Sequence, residues 1–327
     1  MSQITIYTEL EFVEAIYNAN PINSDHLEFV NDNIKWYSIF CDFFFKKSLV
    51  YLDITDEDME EQLENGNIFL RRLIRNHTSM PKPYPYFSFM REDVDYAENV
   101  QPNSIHCYNN GVLTKDTGYI TFDYEDWEEK IKILSYSKVL NVSKNEKLNK
   151  FISWSKLNVI RKDVPKNAAI IYDPYFSKYF SYKEKNIQDI LDLILPEYKI
   201  GVPYHLTIIT KQGELSIEHL SQKIKELSNF ISKNYEADVK VQLCLTHSEL
   251  HDRGIISNYF WIDSGHSLDM LNERGNVRRN SWVKIFNINE IEFESFTTII
   301  LELDQFINRA EIIGDDFKNR LFNLARR

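Results

Sequence analysis

The chain has 327 residues and a hydrophobic share of 43%, which is enough to fill the cores of two ordinary domains and excludes a disordered protein. Residues 1–150 carry 25 acidic against 15 basic side chains, so they hold nearly all of the net charge of −11. Binding to a nucleic-acid backbone depends on lysine and arginine, which makes the acidic half a poor candidate for it. The remaining residues are close to neutral and can hold a local basic site.

The N-terminus lacks the basic and apolar segments of a signal peptide, and no window approaches the roughly 20 apolar residues that cross a membrane. The three cysteines, Cys41, Cys107 and Cys244, cannot all pair with one another, and none has the spacing of a zinc site. We therefore expect a cytoplasmic protein that uses no membrane, metal or cofactor.

Residues 1–155 are predicted to form an acidic α+β domain of unknown function, followed by a connector over 156–167. Thr55 and Asp58 have the spacing of a capping box, which predicts that a helix begins there. A metal site on the neighbouring carboxylates would need convergent geometry that one helix does not supply. The proline-spaced aromatics at 81–87 are interpreted as a packed surface loop, with base stacking or a partner contact as alternatives.

From residue 168 onward, strand-like and helix-like patterns alternate. Five strands are predicted, at 168–173, 204–210, 238–247, 254–262 and 281–288. Amphipathic helices are predicted at 185–195 and 217–231, and a closing helix at about 291–313. Strands separated by such helices predict an α/β fold over 168–327, with a mixed, mostly parallel sheet flanked by helices.

Residues 251–267 carry a pattern that indicates chemistry. His251-Asp252-Arg253 is followed after four residues by Asn258, and after six more by Gly265-His266-Ser267. This spacing resembles the His-x-Lys signature, or HKD motif, of the phospholipase D superfamily, with Arg253 at the lysine position and Asn258 at the aspartate position. The resemblance extends over residues 168–288.

The HDR form of the signature is similar to that of one subgroup of the superfamily. The subgroup includes the degenerate C-terminal domain of proteins that bear a microtubule-interacting-and-trafficking module. It also includes bacterial HDR-type proteins, often found among mobile-element and phage-related genes. The resemblance therefore implies a phospholipase D-like half-domain that is either a binding module or an enzyme. It also implies that the protein takes part in phage defence or in a mobile element.

The resemblance also implies a metal-independent phosphate site. His251 would attack phosphorus, while Arg253, Gly265 and Ser267 would hold the non-bridging oxygens. Arg253 can replace lysine because guanidinium binds phosphate through a bidentate fork and stays charged. The family's aspartate orients the histidine, so Asn258 at its position predicts weak or absent turnover.

A complete superfamily site needs two histidines, and the chain shows one signature, so catalysis would require a homodimer that pairs two His251 residues. Asp263 could substitute for the missing carboxylate, although at a different spacing. Arg278, Arg279 and Lys284 could extend a cationic rim toward a nucleic-acid backbone, or form a solvated turn.

Three functional hypotheses follow from these patterns, one of which takes residues 1–155 as an effector and the HDR module as its sensor. The favoured one is a phosphate- or nucleic-acid-binding protein with an altered, weak or inactive site, working with a protein partner or as a dimer in a prokaryotic defence or mobile-element system. The alternative is a metal-independent phosphodiesterase or nuclease that acts through a phosphohistidine on His251.

Overall fold

The chain divides into two compact units, residues 3–133 and 134–327. The computed structural model describes residues 4–18, 30–42, 44, 48–76, 81–85, 100–108, 117–157, 164–179, 185–247, 250–272, 274–287 and 293–326. The sequence had suggested a boundary at 156–167. The second unit begins earlier because residues 138–142 form a strand of its sheet.

The first unit is built on a five-stranded sheet in which every strand pairing is parallel. Its order is β3-β2-β1-β4-β5, with β1 Ile4–Thr8, β2 Ser48–Leu52, β3 Lys82–Pro83, β4 Ile105–Cys107 and β5 Ile120–Phe122. Its helices are α1 Leu10–Asn18, α2 Val30–Asp42, α3 Asp56–Glu64, α4 Ile68–Asn76 and α5 Trp127–Leu134, whose last residue falls in the second unit. Parallel strands need crossover connections, so this unit is α/β and not the α+β domain that was expected.

Two local predictions in the first unit can be compared with the structure. The Thr55 hydroxyl accepts from the Asp58 N–H (3.0 Å), and the Asp58 carboxylate accepts from the Thr55 N–H (3.2 Å), which confirms the capping box at the start of α3. The proline-spaced segment is described up to Pro85 and contributes edge strand β3, a position that tolerates proline. Residues 86–87 lie outside the described residues.

The second unit contains an eight-stranded mixed sheet in the order β13-β9-β8-β7-β10-β11-β12-β6. The strands are β6 Lys138–Val142, β7 Ala168–Tyr172, β8 Tyr204–Lys211, β9 Val239–Thr246, β10 Gly254–Ser257, β11 Phe260–Ser264, β12 Ser281–Asn287 and β13 Glu311–Gly314. The α/β class is confirmed. Within this sheet only β7, β8 and β9 pair in parallel, however, because β10 and β11 form a tight hairpin and β12 pairs antiparallel with β11.

Helices of the second unit are α6 Phe176–Tyr179, α7 Lys185–Ile194, α8 Ile217–Asn234 and α9 Phe293–Ile307, with short 3-10 helices at Trp154–Leu157 and Arg320–Arg326. Helix α9 ends before residue 313 because Glu311–Gly314 pair with β9 instead. Residues 254–262, predicted as one strand, form a hairpin that turns at Asn258 and Tyr259. No helix among the described residues is long and apolar enough to cross a membrane.

Strand β7 lies at the centre of the sheet and is buried along its whole length. Ala168, Ile170 and Tyr172 point to one side, where they join the apolar cluster that includes Phe296 and Ile300 of α9. Side chains alternate along a strand, so the residues between them point to the opposite face. One edge of the sheet therefore receives the ends of β7, β8 and β9 together with the start of antiparallel β10.

Candidate functional site

His251 and Arg253 immediately precede β10, beside the end of β7. The connection from β7 leads to β8 on one side, whereas β10 lies on the other side, so the strand order reverses between β7 and β10. Crevices at such switch points, outside the carboxyl ends of parallel strands, are the usual ligand sites of open α/β sheets. The signature thus lies at the position where this architecture favours a site.

Asp173, the first residue after β7, is the centre of this edge. Its side chain is fully buried, yet its carboxylate accepts three hydrogen bonds. Oδ1 accepts from the Tyr175 N–H (2.8 Å), and Oδ2 accepts from the Ser267 hydroxyl and the Leu268 N–H (both 2.7 Å). Burial raises the pKa of Asp173, and these donors and the positive charge of Arg253 oppose that rise. The carboxylate therefore fixes two segments far apart in sequence around Arg253.

Arg253 is half-buried, and its guanidinium carbon lies 5.4 Å from the ring centroid of Tyr175. In the described part of the chain no group accepts a hydrogen bond from its buried Nε–H. A buried donor without an acceptor is costly. The arginine thus lies between an aromatic ring and a carboxylate, and one of its donors has no acceptor among the described residues.

Gly265 and Ser267 support the site but do not present donors to it. The Gly265 N–H donates to the Trp282 carbonyl (3.1 Å), and a Cβ at residue 265 would lie 2.6 Å from the Trp282 indole. The single hydroxyl proton of Ser267 is already donated to Asp173. Of the three residues expected to hold the non-bridging oxygens, Arg253 is therefore the one with a side-chain donor that lacks an acceptor among the described residues.

Asn258 lies at the opposite end of β10 from His251. Its side-chain oxygen accepts from the Asn167 N–H (3.0 Å) and the Ala168 N–H (3.1 Å), and its amide nitrogen donates to the Asn167 side chain (2.9 Å). The structure therefore does not bring Asn258 together with His251. An acceptor oxygen for two buried N–H groups is what the position requires, and asparagine and aspartate both supply one.

The three cations expected to form a rim, Arg278, Arg279 and Lys284, have different surroundings. Arg278 forms an ion pair with Asp269 (2.7 Å) and donates from Nε to the Leu271 carbonyl (3.0 Å), so it stabilises its own loop. Arg279 is exposed. Lys284 is the cross-strand neighbour of Asp263, and its Nζ lies 4.4 Å from the Trp282 ring centroid.

Asp263 lies on the other face of the sheet, on the side of Tyr172. It pairs in register with Gly254, where a Cβ would lie 2.6 Å from the Tyr172 hydroxyl. Burial raises the pKa of Asp263 to about 6, although Lys284 lowers it, and the nearby Asp252 raises it further. Alternation turns Arg253 toward the opposite face, so Asp263 does not take the place of the family's aspartate.

Sequence reasoning missed Asp173 and Tyr175. The available signal was the position of Asp173-Pro174-Tyr175 directly after a buried strand, where parallel strands deliver functional side chains. Among the described residues, no three histidine, cysteine, aspartate or glutamate side chains are arranged to hold a metal ion. His247 follows β9 at the same edge, but β8 and β7 intervene, which separates it from β10 by roughly 14 Å at normal strand spacing.

No family model and no curated protein matches the sequence. Among solved structures, the chain is similar to phosphatidylserine synthase from Haemophilus influenzae, at 12% identity and a TM-score of 0.34, over 58% of this chain and 44% of that one. It is also similar to TrmBL2, an archaeal chromatin protein that binds DNA, at 10% identity and a TM-score of 0.29, over 54% and 53% of the two chains. The chain thus spans about half the length of these proteins, and neither likeness is close enough to establish a family.

The hydrogen bonds of Asn258 predict a ranking of stability. Asn258→Ala leaves two buried N–H groups without an acceptor, which costs about 1–3 kcal/mol for each group. Asn258→Asp keeps the acceptor, and the Asn167 side-chain amide can turn to donate to the second oxygen. This variant should therefore unfold at a urea concentration closer to that of wild type than Asn258→Ala does. Equal stability of the two variants would contradict this role.

The raised pKa of Asp263 predicts a pH dependence of folding. Because the folded state holds this proton more tightly than the unfolded state, the stabilising contribution is present below pH 4 and is lost as the pH rises through about 6. Asp263→Asn should therefore gain stability relative to wild type between pH 4 and pH 7. Urea denaturation across this range measures the difference, and a constant difference would refute the assignment.

Proposed function

We propose that the second unit is a phospholipase D-like module that binds a phosphodiester at Arg253. The observation that carries the proposal is the arrangement around Asp173, which holds the Tyr175 and Ser267 segments beside a half-buried arginine whose Nε–H has no acceptor in the described part of the chain. A guanidinium offers a phosphate two parallel hydrogen bonds. The position at the switch point and the spacing of the signature support the same reading.

The distribution of charge supports a nucleic acid as the source of the phosphodiester. With the boundary at residue 134, the first unit carries 24 acidic against 11 basic side chains, and the second carries 25 against 27. The acidic excess is therefore confined to the first unit. A nearly neutral unit with a local arginine site can approach a polyanion, whereas the strongly acidic unit repels one.

A metal-independent phosphodiesterase is the second candidate, and the position of Asn258 favours it. The expectation of weak turnover rested on Asn258 as a failed partner of the histidine, but its hydrogen bonds are with Asn167 and Ala168. Hydrolysis would still need a second histidine, since two strands, β8 and β7, lie between His247 and β10. Two copies of the chain that pair their His251 residues would provide it.

A place in a prokaryotic defence or mobile-element system is supported by the resemblance of the HDR signature to bacterial proteins of such settings. In that setting the first unit could act as the partner-binding or effector part. Its parallel sheet reverses strand order between β1 and β4, which offers a second switch point at which a ligand can bind.

Binding of a dinucleotide with one internal phosphodiester tests the proposal. Arg253→Ala should weaken binding by roughly tenfold or more, the scale of a lost charged hydrogen bond of about 1.5–3 kcal/mol, and Arg253→Lys should weaken it less. Calorimetric titration of the full chain measures the affinities. Lys225→Ala, on the exposed side of α8, is the matched control, and identical affinities for wild type and Arg253→Ala would refute the site.

Cleavage of a phosphodiester separates the two candidates. If the protein is an enzyme, His251→Ala should abolish hydrolysis of bis(p-nitrophenyl) phosphate, EDTA should leave the wild type unchanged, and the active species should have the mass of a dimer. If the protein only binds, wild type and His251→Ala should show the same background rate. Hydrolysis that EDTA removes would contradict both candidates.

A further inference from the structure

Tyr175 is an exposed aromatic side chain at the edge of the candidate site. The residue is 43% exposed, and its backbone N–H donates to the Asp173 carboxylate. A single exposed aromatic ring is ordinary on a protein surface. Tyr175 differs in what surrounds it, because two cationic side chains lie over the same ring.

The two cations are Arg253 and Lys178. The Arg253 guanidinium lies 5.4 Å from the ring centroid, and the Lys178 Nζ lies 5.9 Å from it. Lys178 is exposed on α6. The arrangement combines an exposed aromatic ring with two positive charges close to it.

This combination matches the way proteins bind single-stranded nucleic acid. Such sites place cations along the phosphate backbone and an aromatic plane beside them, on which an unpaired base stacks. In a duplex the bases are already stacked on one another and their faces are closed to side chains. A lipid headgroup supplies the phosphate but no flat base for the ring.

We infer that the site takes single-stranded nucleic acid, with one unpaired base stacked on Tyr175 and the adjoining phosphate held by Arg253 and Lys178. The inference rests on the proposed phosphodiester site and adds the class of ligand to it. In this arrangement Lys178 binds phosphate together with Arg253. Stacking on Tyr175 makes the site prefer single strands over duplexes and over lipid headgroups.

The test compares two single-stranded oligonucleotides of equal length, one with normal bases and one abasic throughout its centre. Fluorescence anisotropy with the full chain measures both affinities. Tyr175→Ala should weaken binding of the normal strand roughly five- to hundredfold, the range that one lost base stack produces, while Tyr175→Phe keeps the ring and stays near wild type. The abasic strand should bind wild type more weakly and be insensitive to Tyr175→Ala.

Tyr198→Ala is the matched control, because Tyr198 has a similar exposure of 40% and lies in the loop before β8. If Tyr175→Ala lowered the affinity for both oligonucleotides equally, the inference would be overturned, since the ring would then only position Arg253. Duplex DNA or phosphatidylserine vesicles that bind better than the single strand would overturn it as well. If Arg253→Ala bound both oligonucleotides as tightly as wild type, the underlying proposal of a phosphodiester site at Arg253 would instead be wrong.

Discussion

The candidate site depends on one buried carboxylate. Asp173 is removed from water, and a buried charge is tolerated only where hydrogen bonds and opposite charge replace hydration. Two N–H groups and one hydroxyl provide those bonds, and Arg253 provides the charge. The carboxylate therefore draws the Tyr175 and Ser267 segments to the start of β10, and the positions of Arg253 and of the Tyr175 ring follow from that requirement.

The same requirement explains why several conspicuous residues of the signature do not serve as ligands. Ser267 gives its proton to Asp173, and Gly265 gives its N–H to Trp282 while leaving room for the indole. Asn258, at the turn of the hairpin, accepts hydrogen bonds from the backbone N–H groups of Asn167 and Ala168, at the start of β7. These residues set the geometry of the strands, which places Arg253 and His251 at the switch point. The spacing of a signature can thus reflect residues that hold the fold together as well as residues that bind a ligand.

Hydrophobic periodicity was sufficient to predict the strands β7, β8 and β9 and the helices between them, because each has a continuous apolar run or an apolar face. It did not predict that residues 254–264 form a hairpin, because the mostly apolar run 254–262 fits one strand, and the turn at Asn258 accepts hydrogen bonds from Asn167 and Ala168, which are distant in sequence. Strand β6 was missed because most of its residues are exposed and its partner β12 is distant in sequence. At the site, His251 and Arg253 were found from spacing. Asp173 and Tyr175 were not, because what marks them is proximity across the sheet.

The Arg253 Nε–H is the most direct probe of the account, since its acceptor is missing in the described part of the chain. Arginine side-chain NMR, with the resonance assigned from its absence in Arg253→Lys, can follow this proton during titration with a dinucleotide. A phosphodiester bound at Arg253 should shift the signal downfield in a saturable manner and slow its exchange with water, because a charged acceptor then receives the hydrogen bond. A saturable titration of other signals in which the Arg253 Nε–H stays unchanged would show that the phosphodiester binds elsewhere.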